Sequence, residues 1–150
     1  MNKILFIGQA PGSRAASDQQ PLVSKNGSCR VARIAGLTTE AFLAKAEAVN
    51  IFPKWPGRAS KGGHDAFDVE QATRLAAEMT IEGRHVVYLG RNVARAFGHP
   101  RAEFFATLAD ARATTAWCMP HPSGANRWWN DPVHREEARA FLQMVLRDSA

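Results

Sequence analysis

A histidine set among prolines and a Ser-Gly turn is the feature of this chain best suited to chemistry. His121 belongs to the stretch MPHPSGANRW at residues 119–128, which follows an apolar run. Each proline holds its own φ at about −65° and keeps the residue before it extended, so the stretch is not helical. A stiff loop at a strand end would therefore present the imidazole, which can donate a hydrogen bond to negative charge that develops on a substrate.

A glycine-rich turn near the N-terminal end is the second such feature. Residues 3–7, KILFI, have the pattern of a buried strand and run directly into GQAPG at residues 8–12. Glycines let the backbone approach a ligand closely, although plain connections between a strand and a helix are just as often glycine-rich. Gln9 adds a neutral amide, which can hold a water molecule but cannot accept its proton.

These two motifs together resemble the uracil-DNA glycosylase superfamily. Members carry GQDPY, GEAPG or GINPG after the first strand and HPS or NPSG after the last, where this chain has GQAPG at residues 8–12 and HPSG at residues 121–124. The segment AVNIF at 48–52 looks like the family's central strand, and QPLVS at 20–24 lies where relatives carry an aromatic that stacks on the base. The resemblance covers most of the chain as an ordered series.

The resemblance implies a fold and an activity. The fold is a three-layer α/β/α sandwich with a central four-stranded, mainly parallel sheet, and it forms a single domain over residues 1–150. The activity is hydrolysis of the N-glycosidic bond of a flipped-out deoxyuridine in DNA during base excision repair. We therefore expect a uracil-DNA glycosylase that acts as a monomer on uracil-containing DNA and needs no cofactor and no metal.

Two residues are expected to be catalytic by this resemblance. His121 would donate a hydrogen bond to uracil O2 as the leaving base becomes anionic, and Gln9 would position the attacking water. Relatives place Asp, Glu or Asn within the first motif, where this chain has Gln9 followed by Ala10. Loss of a general base can cost about 10²- to 10⁴-fold in rate, and Asp18 on the following loop is the candidate substitute.

The uracil-binding residues expected from the resemblance are Ala10, Leu22 and Asn50. The amide of Asn50 can pair with uracil N3–H and O4, and it mismatches cytosine at the same edge. Leu22 stands where relatives have an aromatic residue. Stacking on a base contributes about 1–3 kcal/mol, so Phe52 or Trp55 is expected to compensate.

The remaining predicted site residues contact DNA. A base in a duplex is reached only by flipping it out, and a side chain commonly fills the gap. Relatives put leucine at the position of Ala125, and alanine is too small to fill the gap. We therefore expect Arg127 and Trp128 to replace it, one by contacting a phosphate or the base left without its partner, and one by stacking. Trp129 and Asn130 are the candidates to anchor the loop inward instead, since two adjacent tryptophans more often include one core residue. The other expected DNA contacts are Pro11, Gly12, Ser123, Gly124, Lys25, Arg58 and Lys61.

Composition is compatible with this interpretation and excludes some classes. The 150 residues are 45% hydrophobic, enough for one domain with its own core. The net charge of +5 favours a polyanionic partner over an ordinary basic surface. Cys29 and Cys118 are the only cysteines and lack CxxC spacing, so we expect no zinc site and no iron–sulfur cluster, unlike GEAPG-type relatives. Without an apolar run near the roughly 18 residues of a membrane span, and without a signal peptide, we expect a cytoplasmic protein.

The elements that would position these residues alternate along the chain. Strands are predicted at residues 3–7, 48–52, 85–89 and 114–118. Helices are predicted at 28–35, 39–46 and 69–80, through Phe97, near 103–108 and at 132–147. Strands separated by helices favour a parallel sheet with helices on both faces. Ligands bind such sheets at the carboxyl ends of the strands, where Gln9, Asn50 and His121 would converge.

Two other functions fit parts of the same pattern. The missing acid at Ala10 and the missing aromatic at Leu22 would also suit a module that binds uracil or single-stranded DNA without cutting it. The glycine turn would suit a nucleotide hydrolase that holds a phosphate. Pro11 weakens that second alternative, because proline has no N–H to offer a phosphate.

Overall fold

Strands and helices alternate along the chain, as the apolar runs and helical periods predict. The computed structural model describes residues 3–11, 21–24, 27–59, 66–123 and 126–147. In chain order its elements are β1 (Ile4–Gly8), α1 (Arg30–Ala35), α2 (Thr39–Lys45), β2 (Ala46–Asn50), α3 (Val69–Glu78), β3 (His85–Leu89), α4 (Arg91–Ala96), β4 (Thr107–Leu108), β5 (Thr115–Met119) and α5 (Pro132–Arg147). A 3₁₀ turn at Arg127–Asn130 precedes α5.

The described strands form one sheet in the order β2-β1-β3-β5-β4. β1 pairs in parallel with both β2 and β3, and β3 pairs in parallel with β5. Parallel neighbours need a crossover, and helices α1 to α4 supply the crossovers between successive parallel strands. The chain leaves β1 towards β2 on one side and then returns to β3 on the other side. The switch point of the sheet therefore lies between β1 and β3.

Side chains of the sheet alternate between two hydrophobic clusters. Ile4 and Phe6 of β1 pack with α1, α2 and α5, whereas Leu5 and Ile7 pack with α3 and α4. Both faces of the inner strands are covered, which explains why β1 and β3 are continuous apolar runs. The predicted three-layer α/β/α architecture is confirmed.

The sheet contains five strands, so the predicted count of four was wrong, and so was the helix predicted near 103–108. That segment lies along the outer edge of β5. The Phe105 N–H donates to the Cys118 carbonyl at 2.8 Å, and β4 pairs antiparallel with β5. Phe105 also has a left-handed φ of 67°, which a right-handed helix does not contain. Pairing with a strand edge satisfies backbone groups in a way that local helical periodicity does not encode.

β2 lies at the edge of the sheet, although the resemblance had indicated a central strand. It spans Ala46–Asn50, whereas we predicted 48–52. The strand begins earlier because α2 ends at Lys45, directly before it. Asn50 is therefore the last residue of the strand and stands at its carboxyl end.

α5 covers one face of the sheet with a single apolar stripe. Its limits agree with the predicted helix at 132–147. The buried residues recur at helical spacing and are Ala138, Phe141, Leu142, Val145 and Leu146. Polar side chains occupy the remaining surface, as in other amphipathic helices. Among the residues described, none of the helices is long and apolar enough to cross a bilayer.

Candidate active site

Three predicted site residues lie at the carboxyl ends of parallel strands. Asn50 ends β2, Gln9 follows the last residue of β1, and His121 comes shortly after β5. In the register of the sheet Gly8 is the partner of Asn50, and the last residues of β3 and β5 are paired in the same way. These strand ends are therefore level, and β2 and β5 are about 14 Å apart across the sheet. Gln9, Asn50 and His121 therefore all lie at the carboxyl end of the sheet, near the switch point.

Glycines at the ends of the two inner strands let Asn50 and His121 approach the backbone closely. A Cβ atom on Gly8 would lie 2.6 Å from Asn50 Oδ1, so the Asn50 amide lies directly over the end of β1. Gly90, the residue after β3, has a φ of 98°, and a Cβ atom there would lie 3.2 Å from the Cβ of His121. Close approach requires glycine at both positions. We call the arrangement of Gly8, Gln9, Asn50, Gly90 and His121 the strand-end site.

Two side chains fix the backbone of His121. The indole Nε1–H of Trp129 donates to the His121 carbonyl at 2.8 Å, and the Nδ2–H of Asn126 donates to the same oxygen at 2.9 Å. Trp129 is 2% exposed, so its ring anchors the loop to the core. Asn126 also closes the loop, because its backbone N–H donates to the Ser123 carbonyl at 3.1 Å. The half-buried ring of His121 therefore projects from a backbone that is firmly held.

Backbone hydrogen bonds hold the first motif beside β2. The N–H groups of the two residues after β2 donate to the carbonyls of Gly8 and Gln9, at 3.0 Å each. These bonds continue the parallel pairing past the ends of both strands and keep Gln9 close to Asn50. Gln9, Ala10 and Pro11 are half-buried, and Ala10 packs against the cluster of α3 and α4. The motif is thus a supported turn with partial access to solvent.

The residues expected to contact the face of the base lie in three different environments. Leu22 has a left-handed φ of 68°, which is rare for leucine, and it packs against the cluster of α1, α2 and α5. Phe52 is 7% exposed and makes an edge-to-face contact with Phe67, with ring centroids 5.7 Å apart. Trp55 is 40% exposed. Trp55 therefore offers the more accessible ring, while Phe52 serves the core.

The predicted DNA contacts differ in how far they reach the surface. Arg127 and Arg58 are exposed, and Ser123 is half-buried. Trp128 is also half-buried, and its ring stacks on His134 with centroids 4.4 Å apart and an interplanar angle of 12°. Of this predicted pair, Arg127 is therefore the more accessible. Outside the described residues lie Gly12, Lys25, Lys61 and Gly124, together with Asp18 and Ala125.

Arg91 is a cation at the same carboxyl end of the sheet, and it was not among the residues predicted from the sequence. It follows Gly90 as the first residue of α4 and is exposed. Its guanidinium lies 4.0 Å from the ring centroid of Phe104, and its Nε–H donates to the Ala102 carbonyl at 3.4 Å. A cation–π contact of this kind restrains the direction of a long side chain. The feature of the sequence that could have indicated Arg91 is its place directly after Gly90, the glycine that follows the predicted strand at 85–89.

The two cysteines are buried on opposite faces of the sheet. Cys29 belongs to the cluster of α1, α2 and α5, and Cys118 belongs to that of α3 and α4. Burial raises the pKa of Cys118 to about 11 and also raises the pKa of Cys29, so both are thiols at neutral pH. Within the described ranges, no group of three or more His, Cys, Asp or Glu side chains is arranged to hold a metal ion.

A largely buried polar cluster lies on the face of the sheet covered by α3 and α4. Asp110 Oδ2 accepts a hydrogen bond from the Tyr88 hydroxyl at 2.7 Å and lies 2.7 Å from His99 Nε2. Asp110 Oδ1 accepts from the backbone N–H groups of Arg112 and Ala113, at 2.9 Å each. Burial raises the pKa of Asp110, but these hydrogen bonds outweigh it and lower the pKa to about 2. Both oxygens are occupied, so this carboxylate ties β3 to the segment after β4 and is not a free base.

The family comparison covers almost the whole chain. The sequence profile of the Uracil DNA glycosylase superfamily matches residues 1–144. This span includes all the described strands and the motifs at residues 8–12 and 121–124. No curated protein sequence matches this chain. The α/β/α fold of the described residues is consistent with this match. The chain therefore belongs to the uracil-DNA glycosylase superfamily.

Proposed function

We propose that this protein is a uracil-DNA glycosylase that hydrolyses the bond between uracil and deoxyribose in a flipped-out deoxyuridine of DNA, as a step of base excision repair. The observation that supports this most is the strand-end site, where Asn50 and His121 flank the ends of the inner strands. Glycine at Gly8 and Gly90 lets Asn50 and His121 lie close to the ends of the inner strands, since a Cβ atom would come within 2.6 Å of Asn50 Oδ1 and 3.2 Å of the His121 Cβ. Membership of the superfamily supports the same chemistry.

His121 is the proposed stabiliser of the leaving group. As the bond between C1′ and N1 breaks, its electron pair moves to the base and negative charge develops on uracil O2. A ring N–H of His121 donates a hydrogen bond to that oxygen. The hydrogen bonds from Trp129 and Asn126 hold the His121 backbone in advance, so the donor needs little reorganisation during the reaction.

Asn50 is the proposed selector of uracil, and Gln9 is the proposed holder of the water. The Asn50 carbonyl accepts from uracil N3–H and its amide donates to O4, whereas cytosine presents an acceptor and a donor in the reverse order. The water held by Gln9 adds to C1′ of the cationic sugar. Its proton passes to solvent or to Asp18, because the described residues of the strand-end site carry no carboxylate and Asp18 lies outside them.

Excision from oligonucleotides that contain one uracil tests this proposal. The strands are fluorescent, either single or paired opposite A or G, and alkali cleaves them wherever a base has been lost. His121→Ala and Asn50→Ala are expected to lower the single-turnover rate by about 10²- to 10³-fold. Gln9→Ala measures the contribution of the held water. His85→Ala, at the amino end of β3, and Gln143→Ala, near the end of α5, are matched controls that should leave the rate unchanged.

A folded wild type that binds uracil-containing DNA but leaves every uracil in place contradicts the proposal. The protein would then be a non-catalytic binding module. The absence of a carboxylate from the described part of the strand-end site and the presence of Leu22 in place of an aromatic favour this as the second candidate. Thermal stabilisation by dUMP well above that by uracil, without any effect of DNA, would instead indicate a nucleotide hydrolase.

A further inference from the structure

A cleft between α1 and α5 collects positive charge. Its volume is about 300 Å³, which is enough for a small ligand or for part of a larger one. The cleft is lined by Arg30, Arg33, Ile34, Arg135, Glu136 and Arg139. Most of these residues are arginines, and Glu136 supplies the single negative charge. This composition points to an anionic ligand.

The arginines of this cleft outnumber its one carboxylate and form no ion pair within the part of the chain that the structure describes. Arg30, Arg33 and Arg139 make no ion pair there. The Nε–H of Arg30 is buried and has no hydrogen-bond partner among the described residues. A buried guanidinium N–H without an acceptor is unfavourable, and neighbouring cations repel one another. An anion in the cleft would relieve both effects.

Two arginines of the cleft lie against the backbone around it, and one of them is hydrogen-bonded to it. Arg135 Nη1 donates to the Trp129 carbonyl at 2.8 Å. The guanidinium of Arg139 lies against Gly36 at the end of α1, where a Cβ atom would come within 2.9 Å of Nη2. Guanidinium groups that are already positioned lose less entropy on binding, and their planar fork matches two oxygens of a phosphate. Phosphate is therefore the anion that suits this cleft best.

We propose that the cleft binds a backbone phosphate of the DNA strand, outside the site for the base. Trp129 links the two places, because its carbonyl accepts from Arg135 while its indole donates to the His121 carbonyl. α5 begins soon after the loop that carries His121, so its first turns lie near the carboxyl ends of the strands, as His121 does. A strand with its deoxyuridine at the strand-end site can place a nearby phosphate in the cleft. The choice of DNA as the ligand rests on the proposed function.

The Kd for an oligonucleotide without uracil tests whether the cleft binds DNA, independently of any excision. The cleft variant combines Arg33→Gln with Arg139→Gln. The matched control combines Arg74→Gln with Arg95→Gln, two exposed arginines of α3 and α4 on the other face of the sheet, so both variants lose the same charge. In the cleft variant we expect Kd to rise about tenfold and the slope of log Kd against log salt to fall by about 1 to 2, because fewer counterions are released. The control should show less than half of either change.

An excision assay separates this inference from the proposed function. With an active wild type, the cleft variant should keep the single-turnover rate at saturating DNA but require about tenfold more DNA to reach half of it. If the wild type shows no excision, the comparison of Kd between the cleft variant and the control variant still tests whether the cleft binds DNA. If the double variant does not fold, Arg33→Gln alone, at an exposed position, is compared with Arg74→Gln.

Two results would overturn the proposal. Equal losses of affinity in the cleft and control variants would assign DNA binding to general surface charge. Thermal stabilisation by inorganic phosphate that the cleft variant loses, while its affinity for DNA stays at the wild-type value, would assign the cleft to a small free anion.

Discussion

At the scale of single residues, Gly8 matters for the side chain that it lacks. A Cβ atom there would come within 2.6 Å of Asn50 Oδ1, so the conflict is with the end of a flexible side chain and not with backbone. Gly8→Ala should therefore fold with a Tm close to that of the wild type, because Asn50 can turn away. We expect kcat/KM for uracil excision to fall by about 10- to 100-fold, since the Asn50 amide then leaves the position from which we propose that it reads the uracil edge.

The Asn50→Ala protein supplies the background that tests how Gly8 acts. If Gly8 acts through Asn50, Gly8→Ala should have no further effect on kcat/KM in that background. The measurement is the double-mutant cycle of wild type, both single variants and the double variant. Losses that simply add would contradict the coupling and give Gly8 a separate role.

At the scale of elements, the loop after β5 depends on the 3₁₀ turn that precedes α5. Trp129→Phe keeps an aromatic ring in the core but removes the Nε1–H that donates to the His121 carbonyl. Loss of this hydrogen bond is expected to lower the free energy of unfolding by about 1 kcal/mol. The single-turnover rate of excision should fall by about tenfold or more, because the ring of His121 is then less firmly positioned. Urea unfolding and excision are measured on the same preparations.

Trp117→Phe is the matched control for this element. The Trp117 ring packs edge-to-face on Phe141 of α5, with centroids 6.1 Å apart. Its substitution should lower stability through lost packing while the excision rate is retained. A loss of rate as large as that of Trp129→Phe would show that the rate follows general stability and not the hydrogen bond to His121.

At the scale of the whole molecule, the Asp110 cluster predicts how stability depends on pH. Its hydrogen bonds lower the pKa of Asp110 from 3.8 to about 2 in the folded protein, against the effect of burial. The unfolded chain therefore takes up this proton first as the pH falls. The stabilisation is fully present above about pH 4 and is lost as the pH falls from about 4 to about 2, for a total of about 2 kcal/mol.

Urea unfolding between about pH 2 and pH 7 checks this expectation. Asp110→Asn should be less stable than the wild type at neutral pH and should show a flatter profile below about pH 4. Tyr88→Phe removes one donor to the carboxylate and should retain part of the wild-type slope. An Asp110→Asn profile that runs parallel to the wild type would contradict the assignment of the acid transition to this cluster.

Local patterns were sufficient to predict much of this molecule. β3 and α5 have the limits predicted for them, because an apolar run and a helical period depend on residues that are close in sequence. Gln9, Asn50 and His121 were expected at the carboxyl ends of strands for the same reason, since each stands beside a strand that its own apolar residues mark. The inward position of Trp129 also agrees with the expectation, although its hydrogen bond to the His121 carbonyl was not foreseen.

Contacts between distant segments decided the rest. The edge of β5 paired with the segment that was predicted as a helix, because an unpaired strand edge offers hydrogen bonds that local periodicity does not contain. The sequence by itself determined which residues can do chemistry and which elements carry them. Only the tertiary structure decided that β2 lies at the edge, that Trp129 holds His121 and that α1 and α5 bring their arginines into one cleft. These features depend on strand pairing and helix packing between parts of the chain that are far apart in sequence, and a local pattern cannot specify them.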